Sequence, residues 1–178
     1  MKRYYELEQK FKNKIISPKQ FEAIIEITKG SKNKYEYDHE TGLLRLDRIL
    51  YTSTHYPQNY GFIPNTYASD GDPLDVLVIC SEAILPLSVV TCKPVGVLKM
   101  LDRGEKDYKI VAVPLNDPHF NCYNDISEFP SHLSEEIKHF FKVYKYLEGI
   151  ETNIKTIDGR EEAEKIIQEC IDEYQKLD

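Results

Sequence analysis

The 178 residues contain no tryptophan, and no apolar stretch approaches the ~20 residues that a membrane-spanning helix needs. The N-terminal MKRYYELEQKFKNKII carries charges throughout and lacks the apolar core of a secretory signal. Together these absences predict a cytoplasmic protein. Cysteine is sparse. Cys80, Cys92, Cys122 and Cys170 form no CxxC pair, and none stands beside a histidine at zinc spacing. Buried thiols in a reducing compartment are expected. There is no GxxxxGK[ST] or GxGxxG phosphate loop and no GxSxG elbow, which removes the common nucleotide-binding and serine-nucleophile signatures. Positive charge is in deficit, with 23 Lys and Arg against 30 Asp and Glu, a net charge of −7. An acidic chain is a poor general binder of nucleic acid. An anionic substrate remains open, because divalent cations held by carboxylates reverse the local field. The five histidines (39, 55, 119, 132, 139) show no ligand spacing and read as surface, packing or subunit-contact residues. Repeats, low-complexity segments and Gly/Ser linkers are also absent, so residues 1–178 are read as one domain.

What is present reads as globular, with 41% hydrophobic and 30% charged residues, and with aromatic character carried by 13 Tyr and 7 Phe. Residues 1–20 show helical spacing (Tyr5, Leu7, Phe11, Ile15) ended by Pro18. Residues 21–115 are mainly strand-like. FEAIIEIT is a β-rich run, and KYEYD and LLRLDRIL flank a turn at HETG. VLVIC, SVVTCKPVGVLKM and YKIVAVPL follow, with a charged hairpin over 99–109 and Gly104 near its tip. Residues 134–178 read as mainly helical. Ser134 is placed as a cap, followed by an apolar face of Ile137, Phe140, Phe141 and Tyr144. A last helix carries Ala163, Ile166, Ile167, Cys170, Ile171, Tyr174 and Leu177 on one side. Strands followed by helices predict an α+β fold, an antiparallel sheet or small barrel with helices outside.

The sharpest local signal is DGDPLDV, residues 70–76. Asp70 and Asp72, two apart, face the same way in an extended chain, and Pro73 bends the backbone so that Asp75 joins them. Carboxylates held this close repel one another unless a cation sits between them, and hard divalent cations with oxygen ligands meet that demand. A solvated acidic turn accounts for the same residues equally well. Asp102 and Asp107 bracket the 103–106 loop, with Lys109 on the face of Asp107; an exposed charged hairpin tip is the first reading of them alone, and a pair facing each other across the hairpin is the alternative. Glu26 is a carboxylate in a strongly apolar strand and needs a partner unless it points outward. Lys34 and Glu36 share a strand face, as a surface ion pair would. Arg48 reads as a solvated sheet residue, while Tyr56, Tyr60 and Tyr144 read as core tyrosines with polar tips, and Lys145 faces away from the stripe of Tyr144.

Taken in order, IEI (25–27), KYE (34–36), LDR (46–48), YPQNYGFIP (56–64), DGDPLDVLV (70–78), PVGVLKMLD (94–102), DYKIVAVP (107–114) and HFFKVYKYLE (139–148) closely resemble the family I soluble inorganic pyrophosphatases in their short prokaryotic form. The resemblance runs from about residue 20 to the end. Thr28 stands where many members have proline. The resemblance implies an OB-like, five-stranded closed barrel with flanking helices. It implies hydrolysis of pyrophosphate to two phosphates by a magnesium-activated water, with several Mg²⁺ per site and Mn²⁺ or another divalent ion as a substitute. Asp70, Asp75 and Asp102 match the ligands of one Mg²⁺, Asp72 and Asp107 help to hold further ions, and Glu36 matches a residue that holds metal with substrate bound. Lys34, Arg48, Lys109, Tyr144 and Lys145 match residues that grip pyrophosphate and phosphate. Glu26 and Tyr60 match positions ordering metals and water, Tyr60 also meeting substrate, and Asp72 is the expected acceptor of the water's proton. A homo-oligomer, commonly a hexamer, is implied, with no nucleic-acid or membrane partner. A binding module of OB type and a nucleotide phosphohydrolase compete with this reading; the net charge opposes the first and the missing nucleotide loop the second.

Overall fold

The computed structural model describes residues 17–177. Five strands close on themselves in the order β1 (Phe21–Ile27), β4 (Asn59–Ile63), β5 (Leu74–Val78), β8 (Lys109–Pro114) and β6 (Val89–Asp102), with β6 pairing back onto β1. All these pairings are antiparallel except β5 with β8. The short β7 (Glu105–Lys106) folds back on the end of β6, and β9 (Thr152–Gly159) pairs with the second half of β6. A separate hairpin joins β2 (Asn33–Asp38) to β3 (Leu43–Ile49) across the predicted turn, where the Asp38 carboxylate accepts from the Glu40 amide at 2.9 Å. Two helices, α1 (Ser131–Val143) and α2 (Arg160–Gln175), complete the chain. The fold is thus α+β, with a closed ring of five strands inside a mixed sheet.

The ring closes tightly because β4 crosses β1 at Gly61. A Cβ there would lie 1.8 Å from the Ile24 carbonyl oxygen, so only glycine fits. β8 is buried along its whole length, and β4 likewise. Ala163, Ile166, Ile167, Cys170 and Ile171 of α2 seal one side of the ring, against Ile25, Val76, Ile110 and Ala112. Ile137, Phe140, Phe141 and Tyr144, on α1 and its C-terminal end, pack with Tyr56, Tyr60, Leu77 and Met100 on another. Among the described residues no helix is long and apolar enough to cross a membrane.

The helix placed over residues 1–20 lies mostly outside the described residues; residues 17–20 form a tight turn, with the Gln20 amide on the Ser17 carbonyl at 3.2 Å. Three other expectations change. Helix α1 starts at Ser131 behind Pro130, one turn before Ser134, which therefore caps nothing. The C-terminal third is broken by β9. Its Thr152, Ile154 and Thr156 alternate at strand period, but β9 is itself largely exposed or half-buried, so the segment lacks the apolar content that marks a buried strand. Finally, Cys80, Cys92 and Cys170 are buried free thiols as expected, whereas Cys122 is exposed.

Candidate active site

The loop from β4 to β5 carries the three carboxylates of DGDPLD. Gly71 sits at φ +89°, a conformation L side chains avoid, and turns the chain between Asp70 and Asp72. The loop closes on itself through the Gly71 amide on the Ala68 carbonyl (3.0 Å), the Ala68 amide on the Asp72 carbonyl (2.9 Å) and the Asp72 amide on Asp70 Oδ1 (3.1 Å). Asp70, Asp72 and Asp75 then line a pocket of about 330 Å³.

Other elements bring the rest of the wall. In β1 the register passes from Ile25 opposite Gly61 to Ile27 opposite Tyr60, so Glu26 is the extra residue of a bulge. Bulges re-aim side chains, and Glu26 turns into the pocket rather than outward, accepting from the Tyr37 amide at 2.7 Å. Burial pushes its carboxyl up to about 8, against the lowering effect of that hydrogen bond. Lys34 and Glu36 of β2 form the expected ion pair on the pocket wall. Lys34 also reaches Asp47 at 3.4 Å.

Asp107 and Lys109 enter from the start of β8. Lys109 is only 3% exposed, its ammonium held by Asp107 and by Asp75 Oδ2 at 2.6 Å, with the rings of Tyr60 and Phe141 at 5.6 and 5.7 Å. Burial works against its charge, but Asp75 and Asp107 outweigh it and hold its pKa well above the ordinary value. Burial, the first cause, raises the phenols of Tyr56, Tyr60 and Tyr144, with Asp75 adding to it in all three and Lys109 opposing it at Tyr56 and Tyr144, so all three stay protonated donors. Lys145, read from helical spacing as facing away from Tyr144, lines the same pocket, because α1 ends at Val143 and the chain then turns. Its ammonium pairs with Asp102.

Of the residues expected at a site, Glu26, Lys34, Glu36, Tyr60, Asp70, Asp72, Asp75, Asp107, Lys109, Tyr144 and Lys145 line this one pocket, and Asp102 adjoins it through Lys145. Asp102 and Asp107 do not face each other: Asp102 stands opposite Glu105, and the two carboxylates go to different lysines. Arg48 stays outside the lining. Its guanidinium is held by Asp47 at 2.5 Å and Glu148 at 2.7 Å, at the far end of a chain of charges that reaches the pocket through Lys34. Tyr56, Tyr37, Phe62 and His39 also line the pocket and were not read as site residues. His39 follows Asp38 at the turn, and its ring packs 4.9 Å from Tyr37; single-sequence spacing holds no trace of that contact.

Among the described residues no group of three or more His, Cys, Asp or Glu side chains stands ready to hold a metal ion. The donor set nevertheless fits a hard divalent cation. It is all oxygen, and burial together with Asp75, Asp72 and Asp107 raises the Asp70 carboxyl, the mark of carboxylates short of positive charge. Asp102 Oδ1 is buried with no hydrogen-bond partner, an atom that a cation would satisfy.

A family model described as inorganic pyrophosphatase matches residues 23–175. The chain is 50% identical over 159 residues to an inorganic pyrophosphatase of Halalkalibacterium halodurans, covering 89% of this chain and 98% of that protein. It is 48% identical over 164 residues to one of Geobacillus stearothermophilus, covering 92% and 96%. The crystal structure of inorganic pyrophosphatase from Thermus thermophilus superposes with a TM-score of 0.87 at 38% identity, over 90% of this chain and 94% of that one. The match spans strands, acidic loop and both helices, and on it the chain belongs to the inorganic pyrophosphatase family.

Proposed function

We propose that the chain hydrolyses inorganic pyrophosphate to two phosphates in the pocket of Asp70, Asp72, Asp75, Asp107, Lys34, Lys109 and Lys145. The observation that carries this reading is one cavity whose lining brings together carboxylates, three ammonium groups and neutral phenols. Phosphoryl transfer needs positioning and charge stabilisation more than covalent chemistry, and that lining supplies both. Lys34, Lys145 and the Tyr144 hydroxyl donate to phosphoryl oxygens, with Lys109 and Tyr60 behind them and Arg48 contributing charge through the Lys34–Asp47 chain. Asp72 takes the proton from the attacking water as its oxygen bonds to phosphorus and the bridging P–O bond breaks, releasing phosphate. Glu26, held by the Tyr37 amide, orders the floor of the site. Asp70, Asp75, Asp102, Asp107, Asp72 and Glu36 would hold Mg²⁺, or Mn²⁺ in its place. Bound there, such ions lower the pKa of water and screen the substrate's charge.

We further read residues 1–178 as a single domain built on an OB-like barrel, acting in the cytoplasm as a homo-oligomer, with a hexamer favoured and no nucleic-acid or membrane partner. Phosphate release from pyrophosphate, measured with Mg²⁺, after EDTA and after Mg²⁺ is restored, tests the central reading. Activity is expected to vanish and return; hydrolysis that persists without metal overturns the metal-dependent mechanism, and preference for ATP over pyrophosphate overturns the substrate.

A further inference from the structure

The acidic loop is poorly supported by packing. The pocket of about 330 Å³ opens on one side of it, and a second cavity of about 340 Å³ opens on the other, and Asp70, Pro73 and Asp75 border both. With space on each side, the position of the carboxylates depends on the hydrogen bonds that tie down the loop's two ends.

At that base sits Thr66, 2% exposed and outside both cavities. Its hydroxyl donates to the Ile63 carbonyl at 2.6 Å and accepts from the Leu74 amide at 2.9 Å. Ile63 is the last residue of β4, and Leu74, opposite it, is the first of β5. One side-chain oxygen is therefore inserted where the ladder between these strands ends, doing what a bridging water would do, but covalently attached. Pro73 has no amide hydrogen, so Leu74 offers the first backbone donor after Asp72. The next residue is Asp75. The neighbouring Tyr67 amide adds a second tie, to the Cys170 carbonyl of α2 at 2.9 Å.

Resting on the pyrophosphatase reading above, we propose that Thr66 is a positioning residue: its buried hydroxyl sets the separation of the loop's ends and so holds Asp70, Asp72 and Asp75 at the spacing a divalent cation needs. Threonine suits the task, because its β-branch restricts rotation and keeps the oxygen aimed. Valine has the same shape without the hydroxyl, leaving a buried amide and carbonyl unpaired. Serine keeps the hydroxyl.

The test is calorimetric titration of Mg²⁺ into the full chain, alongside phosphate release. Thr66→Val is expected to bind Mg²⁺ about tenfold more weakly, with kcat largely recovered at saturating Mg²⁺, and Thr66→Ser to stay near the parent protein. Thr28→Val, which loses a hydroxyl bond to the Ile84 carbonyl (2.8 Å) away from the loop, is the control for general destabilisation and should bind Mg²⁺ normally. Parent-like Mg²⁺ affinity in Thr66→Val, or an equal loss in Thr66→Ser, overturns the proposal. Should Thr66→Val not fold, hydrogen exchange on the unaltered chain decides. The Leu74 amide should be protected like that of Val76, and exchange as fast as at Gly71 overturns the role. Failure of the pyrophosphatase reading appears separately, as parent protein that binds Mg²⁺ yet releases no phosphate.

Discussion

Two of the apolar regions around the strand ring, those under the helices, are built from different chemistry. Beneath α2 the region is almost wholly aliphatic: Ile25, Ile63, Val76, Val78 and Ile110 against Ala163, Ile166, Ile167 and Ile171. On the α1 side the same ring meets aromatic residues, with Tyr56 4.8 Å from Phe140 and 5.3 Å from Tyr60, and Tyr144 5.3 Å from both Phe140 and Phe141. Adjacent residues of one strand serve the two regions, Val76 the first and Leu77 the second, because side chains alternate along a strand. The aliphatic side offers mainly apolar burial, although Ile166 and Cys170 also border the second cavity behind the acidic loop. The aromatic side also buries apolar rings, but tyrosine keeps a polar tip, and Tyr56, Tyr60 and Tyr144 line the charged pocket. One region contributes mainly stability, while the other contributes stability and a donor set.

This difference can be broken from either end. The largest effect is expected at the pocket itself. Asp72→Asn keeps the shape of the loop but cannot take a proton, and turnover should fall about a hundredfold or more while the melting temperature stays near that of the parent. Phosphate release and thermal unfolding measured on the same sample check this; a near-parental rate at saturating Mg²⁺ removes Asp72 from the role. The reverse pattern is expected on the aliphatic side. Ile167 is completely buried, and Ile167→Ala should cost about 2–5 kcal/mol in urea unfolding with kcat unchanged for the folded fraction. A parallel loss of kcat would mean that the aliphatic side reaches the site after all.

The same contrast explains what could be read from the sequence. The aliphatic region rests on short-range periodicity, so α2 and the strands beneath it were legible, as was the Asp70–Asp72–Asp75 cluster, which needs only six consecutive residues. Long-range pairing was not. Nothing in the spacing of Asp102 says that it goes to Lys145, and nothing in that of Lys109, legible as a neighbour of Asp107, says that it also meets Asp75. Glu26 enters the pocket only because a bulge spends one residue out of register, and a bulge leaves no mark in the pattern of FEAIIEIT. The Glu148 partner that holds Arg48 outside the lining and the edge pairing of β9 are of the same kind. The resemblance of motif order to a family is what gathered those residues, since motif order carries the tertiary contacts that periodicity cannot.

Tyrosine hydroxyls sharpen the comparison further. Tyr144→Phe retains the ring that packs on Phe140 and Phe141 and removes one donor from the pocket. The loss of one hydrogen bond, about 0.5–1.5 kcal/mol, should appear as roughly a threefold to tenfold drop in kcat, with unfolding nearly unchanged. A drop in stability without a drop in kcat would make Tyr144 a purely apolar residue.

The last effect is one of pH, which concerns stability and not turnover, and its sign follows from Glu26. Burial raises its carboxyl from an ordinary 4.5 to about 8 in the folded chain. Between those values the folded protein holds a proton that the unfolded chain has released, so folding is favoured by acid. The contribution is complete below about 4.5, declines as pH rises, and is gone above about 8. Asp70 is shifted in the same direction, but it is present in both proteins being compared. Glu26→Gln removes the titration while its side-chain oxygen still accepts from the Tyr37 amide. Melting curves in EDTA should therefore show the variant gaining on the parent as pH rises through that window, with the gap level above about 8. Parallel curves would mean that the Glu26 carboxyl is already ionised near neutral pH, as a group in open contact with water would be, and the pocket floor would then be wetter than its lining suggests.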